Sequence, residues 1–393
     1  QRPSLSLYDE FARARNGCFY AAPASARRVL ELDPAKQALR FIGPDLAPES
    51  VPDDYFHGLY TAIAAAADGC LYAPPYGHGR VLKIDPASSE VAKIGPEMTF
   101  RAGPYQALYS AIALAPNGHL YCPPFLASHV LDIDPERGTV SQMGSHIGPP
   151  RTHMDHGQYC CVLRASSNGK LYAPPKAAER VLEIDPTSGT ARQIGAVDIE
   201  GEFYCICEAQ NGHLYSVSGG CWSTLYLLDI DPVGGSVVVH KVEDLMQESP
   251  KSVEGEYTLI KAAGNGRVYG IPDRDGRLLE YDTRTEIVRE IGEEIAHGPA
   301  CGATLNNRVF VLPDVREQPE QVLMIDYNSF PVRPAQVGAA WMEELLKGDL
   351  SDVTLRASDG KTRQAHKLVL SARSSVFRAM FQSNMRESQD RLV

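Results

Sequence analysis

The sequence predicts an all-β propeller of seven four-stranded blades over residues 1–337, followed by a shorter α/β segment. A unit of sequence, clearest at residues 158–195, recurs along the chain; each copy breaks into short apolar runs divided by turn residues; and after residue 337 the periodicity changes. The seven copies in this 393-residue chain stand about fifty residues apart, the period of propellers and solenoids, and seven lies within the blade numbers at which propellers close.

Gly-x-Leu-Tyr or a close variant falls at Gly17/Tyr20, Gly69/Tyr72, Gly118/Tyr121, Gly169/Tyr172, Gly212/Tyr215 and Gly266/Tyr269, with a worn copy at Asn307/Phe310. An acidic turn follows in step at Asp33, Asp85, Asp134, Asp185, Asp231, Asp282 and Asp326. In the second copy the four predicted strands are residues 60–66, 70–73, 80–84 and 91–94. Gly69 can take the positive φ of a hairpin turn, and Pro86 starts the next turn with φ already fixed. Residues 61–67, TAIAAAA, favour helix by propensity. Their counterparts at 110–115, 160–165 and 258–263 carry β-branched residues and Cys, so the structure common to all copies is a strand. Small side chains suit the strand nearest the axis, where blades converge. Each Asp before Pro can cap its own turn, which explains its recurrence without an acidic catalytic ring.

The lettering Tyr-(inner strand)-Asn/Asp-Gly-x-Leu-Tyr-x-Pro, then Arg-Val-Leu-x-Ile-Asp-Pro and Ile-Gly, resembles the NHL-like group of β-propellers over about residues 5–337. That resemblance implies a first strand lining the channel and a second opened by the Gly-x-Leu-Tyr fragment. The Pro-Pro after Tyr72, Tyr121 and Tyr172 departs from the usual form.

A net charge of −11 and 44% apolar residues describe a globular chain that repels phosphate backbones, so nucleic acid is not an expected partner. No apolar run approaches the length of a membrane span, and the start, QRPSLSLYDEF, lacks both an initiator Met and a signal-peptide core. The chain reads there as a fragment. Nine cysteines without a Cys-x-x-Cys pair read as reduced thiols of an intracellular protein, cytoplasmic or nuclear. No Gly-x-Ser-x-Gly elbow, His-Glu-x-x-His pair or phosphate-binding glycine loop is present, and no cofactor is expected.

A Tyr heads the predicted inner strand in six copies: Tyr8, Tyr60, Tyr109, Tyr159, Tyr204 and Tyr257. A ring of phenols at one end of the channel would suit peptide recognition. Packing against the neighbouring blade is the alternative, since a residue fixed by repeat symmetry usually serves the repeat. His57, His156 and His297 lie just before this point, but three loop imidazoles without matching ligands in the other copies do not make an expected metal site.

After residue 337, AAWMEELLKGDL places Trp341, Met342, Leu345 and Leu346 at helical spacing. Residues 351–357 alternate like a strand, Asp359-Gly360 turns, and 364–381 read as two short helices. Asp352-Val353, Ala365-His366-Lys367, Leu370, Ser371-Ala372-Arg373-Ser374, Val376-Phe377 and Met380-Phe381 resemble, in order and spacing, the opening half of a BTB/POZ domain, as in MATH-BTB speckle-type adaptors. The resemblance implies a homodimer built through Met342, Leu345, Leu346 and Val369, with a charged pocket at Asp352 and Lys367. Met385 and Glu387 stand where family members that recruit cullin-3 carry a hydrophobic-x-Glu element. A complete domain would continue beyond Val393, so the segment is expected to be truncated.

The sequence thus points to a non-enzymatic adaptor. The propeller selects a protein target, and the C-terminal segment dimerises and recruits cullin-3 for ubiquitination. The alternatives are a propeller hydrolase or lactonase with a channel metal, and a BTB scaffold that does not bind cullin.

Overall fold

A computed structural model of the chain describes residues 7–46, 58–98 except 78, 107–147, 157–247 except 197–198 and 220–223, and 256–297; beyond these it describes the strand backbones between 299 and 365. Each repeat forms an antiparallel sheet in which strands pair with their neighbours in sequence, apart from one added strand in the fifth. The first sheet is Ala12–Arg13, Phe19–Ala21, Val29–Asp33 and Ala38–Ile42; the second is Ala64–Ala65, Leu71–Ala73, Gly79–Asp85 and Glu90–Met98. The third comprises Ala113–Leu114, Leu120–Cys122, Val130–Asp134 and Thr139–Met143, and the fourth Leu163–Arg164, Leu171–Ala173, Val181–Asp185 and Thr190–Ile194. The fifth holds Cys207–Glu208, Leu214–Gly219, Tyr226–Ile230 and Val237–Lys241, with Glu202–Phe203 added beside its second strand.

In the sixth copy the strands are Glu256–Ala262, Arg267–Asp282 and Ile287–His297. The middle run doubles back on itself. Tyr269 donates to Glu280 at 3.0 Å, whereas eleven residues of straight strand would separate them by about 36 Å. All four strand positions are therefore filled here too. The seventh copy gives Pro299–Leu305, Arg308–Pro313, Gln321–Asp326 and Arg333–Gln336, and Val353–Arg356 then pairs with Thr362–Ala365. The chain divides into compact units at residues 1–298 and 299–393, so the seventh sheet groups with the C-terminal residues. The architecture is an all-β propeller.

The first strands are shorter than predicted. Of residues 60–66 only Ala64–Ala65 pair as strand, because the N–H groups just before them are engaged elsewhere: Leu59 donates to Ala24 O at 2.7 Å and Tyr60 to Pro23 O at 3.1 Å. Apolar cores lie between consecutive blades. Tyr20, Val29 and Ile42 of the first pack with Leu71, Leu82 and Ile84 of the second, and the pattern continues through the sixth.

The Gly-x-Leu-Tyr fragment owes its recurrence to the turn before it. Tyr20, Tyr72, Tyr121, Tyr172, Tyr215 and Tyr269 are almost completely buried, and a buried hydroxyl needs a partner. Asn16, Asn117, Asn168 and Asn211 each donate to the phenol four residues on at 2.9 Å, Asn265 does so at 3.3 Å, and Tyr72 instead donates to Asp68 at 2.8 Å.

The recurrent Asp turns cap themselves. An Oδ1 accepts a backbone N–H two or three residues on at 2.8–3.1 Å at Asp33, Asp85, Asp134, Asp185, Asp231 and Asp282. Hydrogen bonds from Lys36 hold Asp33 below the ordinary carboxylate range, and backbone N–H groups do the same for Asp85, Asp134 and Asp231. At Asp185 and Asp282 burial acts upward, and the turn hydrogen bonds together with Lys170 and Arg267 outweigh it. Glu31 is lowered by the Arg40 guanidinium; for Glu183 burial acts upward and Arg192 with Lys170 prevails. A carboxyl lowered by folding contributes stability that is complete above its unfolded pKa and is lost as pH falls through the folded one. The urea midpoint is therefore expected to hold between pH 7 and 5 and to drop below about pH 4. Denaturation curves at pH 6 and pH 3 with equal midpoints would refute this.

Candidate functional site

The tyrosines that head the first strands are structural joints. Tyr60, Tyr109, Tyr159 and Tyr257 are buried, at 2% exposure or less. Tyr8, Tyr60, Tyr109, Tyr159 and Tyr257 donate to the carbonyls of Arg28, Arg80, His129, Arg180 and Arg277 at 2.7–3.1 Å. The backbone N–H of Tyr109 donates to Pro75 O, and that of Tyr159 to Pro124 O, each at 3.2 Å. The second proline of each Pro-Pro thus latches one blade to the next. The rings of Tyr60, Tyr109, Tyr159 and Tyr257 are spent on packing, which corrects their reading as a recognition ring, while Tyr8 is half-buried and shares the carbonyl hydrogen bond.

Tyr204 is out of register with them. Phe203, fully buried, takes the joint position, and its N–H donates to Pro175 O at 3.0 Å. Spacing carried the signal: Phe203 stands nine residues before Gly212, as Tyr60 does before Gly69. Tyr204 is released to the end of the strand, half-buried, and donates to Glu202 Oε2 at 2.5 Å.

Beside these joints the same backbone position recurs with unlike side chains. The N–H groups of Ala24, Tyr76, Phe125 and Lys176 donate to Leu7, Leu59, Leu108 and Gln158 carbonyls at 3.0, 2.9, 2.8 and 2.8 Å. The repeat fixes the backbone and leaves the side chain free to differ. Tyr76 and Phe125 rings lie 5.7 Å apart, and the Lys176 ammonium stands 5.3 Å from the Phe125 centroid and 5.1 Å from that of Tyr204. Burial raises the Tyr76 phenol, and Asp9 of the first blade and Cys160 of the fourth are near enough to act on it as well. The Cys160 thiol is pulled down, first by its hydrogen bond with Cys161 and then by Lys176, while Cys161 is pushed up. Tyr76, Phe125, Lys176 and Tyr204, drawn from four blades, form an aromatic and cationic cluster beside the joints between blades. Sequence reading followed what repeats and so passed over them.

The other predicted site residues, Met342, Leu345, Leu346, Asp352, Lys367, Val369, Met385 and Glu387, lie outside the described residues, as do His57, His156 and the side chain of His297. The backbone corrects one helical expectation. Gln364 and Ala365 belong to a strand, paired with Thr354 and Val353.

The BTB/POZ domain family matches residues 342–393. No curated protein matches the chain. Among solved structures, a streptogramin B lyase is similar at a TM-score of 0.51 and 10% identity, over 80% of this chain and 92% of that one. A virginiamycin B lyase from Staphylococcus aureus, catalytically inactive and solved with quinupristin, gives 0.52 and 11%, over 80% and 93%. The computationally designed Ika8 protein gives 0.56 and 11%, over 93% and 98%. At these identities the likeness is one of fold. The chain thus carries a β-propeller followed by a segment, residues 342–393, that matches the BTB/POZ domain family.

Proposed function

We propose that the chain is a protein-interaction adaptor of the cytoplasm or nucleus, whose propeller binds a protein target and whose BTB/POZ segment pairs with a second copy and recruits cullin-3, bringing the target to ubiquitination. The observation that carries this reading is the BTB/POZ match over residues 342–393. It contains the proposed dimer residues Met342, Leu345, Leu346, Asp352, Lys367 and Val369 and the proposed cullin residues Met385 and Glu387. The propeller supports it with a cluster of aromatic and cationic side chains, the composition of interaction surfaces. Pairing two propellers would raise avidity for targets that present repeated segments.

Affinity purification of the full-length protein from cells tests the reading. Cullin-3 is expected in the eluate, reduced about tenfold or more by Glu387→Ala or Met385→Ala, because a desolvated charge or an apolar anchor at an interface is worth that much. Absence of cullin-3 from the wild-type eluate would leave a scaffold that does not bind cullin. One divalent cation per chain, found by metal analysis of the purified protein, would overturn the non-enzymatic reading in favour of a hydrolase or lactonase.

A further inference from the structure

Three half-buried cations among the described residues are answered by carboxylates. Lys170 meets Glu183 at 3.2 Å and Asp185 at 3.4 Å, Arg267 meets Glu280 at 3.0 Å and Asp282 at 3.2 Å, and Lys83 meets Asp68 at 3.6 Å. Lys176, Arg180 and Lys261 are half-buried without such a partner among the described residues, and of these three Lys176 is the one that stands against ring faces. It is half-buried and touches the Phe125 and Tyr204 rings, and among the described residues no carboxylate comes within ion-pair distance of it. The carboxylate of Glu202 accepts from the Tyr204 hydroxyl instead. Ring faces attract an ammonium but give its three N–H donors no acceptor. In a chain of net charge −11, an ammonium held against two rings, with the Cys160 thiol nearby and no carboxylate partner among the described residues, is a place for an anion.

We propose that Lys176 receives the carboxylate of an Asp or Glu in an extended segment of the protein target, with the neighbouring aromatic or large aliphatic side chain of that segment lying on Tyr76. This rests on the adaptor reading and adds the chemistry of its target. The backbone bond of Lys176 to Gln158 O, 2.8 Å long, is the one its counterparts make, so the site is organised before binding and little ordering cost falls on the protein. An apolar neighbour suits the half-buried Tyr76 ring, and exclusion of water around it strengthens the ion pair.

The full chain is panned against a phage-displayed random dodecapeptide library, and a selected peptide is titrated by fluorescence polarisation. Enriched peptides should share an acidic residue beside an aromatic or large aliphatic one. Lys176→Met should weaken binding about tenfold or more, and Lys176→Arg should retain it. The peptide with its acid replaced by the amide should bind wild type as weakly as Lys176→Met binds the original, with no further loss when both changes are combined. Thermal unfolding of Lys176→Met should match wild type, which separates lost recognition from lost fold. Absence of enrichment, enriched peptides without an acidic residue, or equal binding by wild type and Lys176→Met would each overturn the proposal. Cullin-3 association, read on the same preparations, is independent of Lys176. If it is present without carboxylate dependence, this inference falls and the adaptor reading stands; if it is absent while carboxylate dependence is found, the inference stands and the cullin arm falls.

Discussion

Tyr159→Ala is expected to destabilise the propeller by about 3–5 kcal/mol, the usual cost of deleting a large buried ring, while Tyr204→Ala costs about 1 kcal/mol or less. Both residues head a first strand in the sequence, so the contrast is a direct test of their roles. Tyr159 has no solvent exposure, its hydroxyl donates to Arg180 O at 2.9 Å, and Gln193 Nε2 donates to that hydroxyl at 3.0 Å. Its ring packs with Tyr121 and Val130 of the third blade and Leu171 and Leu182 of its own. Truncation empties the joint between two blades and leaves the Arg180 carbonyl without its donor. Tyr159→Phe keeps the ring and should lose about 1–2 kcal/mol for that unmet carbonyl. The fifth blade already manages with Phe203 at this position. Urea unfolding followed by circular dichroism reads all three variants. A Tyr159→Ala midpoint close to wild type, or one no lower than that of Tyr204→Ala, would return Tyr159 to the surface.

Much of the scaffold was legible because its chemistry is local. Asn117-Gly118 announces a hairpin, and the four-residue step from Asn117 to Tyr121 is the reach of the hydrogen bond that satisfies the buried phenol, at 2.9 Å. Asp185 with its own turn is equally local, its Oδ1 2.9 Å from Thr187 N. What escaped the sequence depends on contacts between copies. The predicted strand 60–66 shrank to Ala64–Ala65 because Leu59 and Tyr60 bond to the previous blade. Pro-Pro looked like a departure from the repeat and proved to be its latch, with Pro124 O receiving Tyr159 N–H. Tyr204 was placed by letter rather than by distance from Gly212. The patch of Tyr76, Phe125 and Lys176 was hidden for the opposite reason: its positions are equivalent and its letters are not, and only the shared backbone bond reveals the equivalence. The C-terminal segment was legible as an ordered set of residues, and the family match covers the same stretch, 342–393.

Gly95→Ala should destabilise the propeller by about 2–5 kcal/mol, against about 1–2 kcal/mol for Gly118→Ala. The two share a backbone cost, since φ is +74° at Gly95 and +86° at Gly118, a region that an L side chain adopts only with strain. They differ in space. A Cβ at Gly118 would meet nothing within 4 Å, whereas one at Gly95 would lie 2.6 Å from the Cβ of Val140 in the next blade. Val140 has little room to yield, because it is paired with Ile133 inside the third sheet. The contact belongs to the repeat. Cβ atoms at Gly43, Gly144 and Gly195 would likewise fall 2.5, 2.7 and 2.9 Å from Val91, Ala191 and Val237. The Ile-Gly or Met-Gly that closes each of the first four copies is therefore the place where one outer strand rests on the next, and glycine there sets the distance between blades. Adding Val140→Gly to Gly95→Ala removes the clashing atom, so the pair should be less destabilised than the sum of the two single changes. Strict additivity, or equal losses for Gly95→Ala and Gly118→Ala, would show that the backbone conformation alone explains the glycine and that the blades do not meet through it.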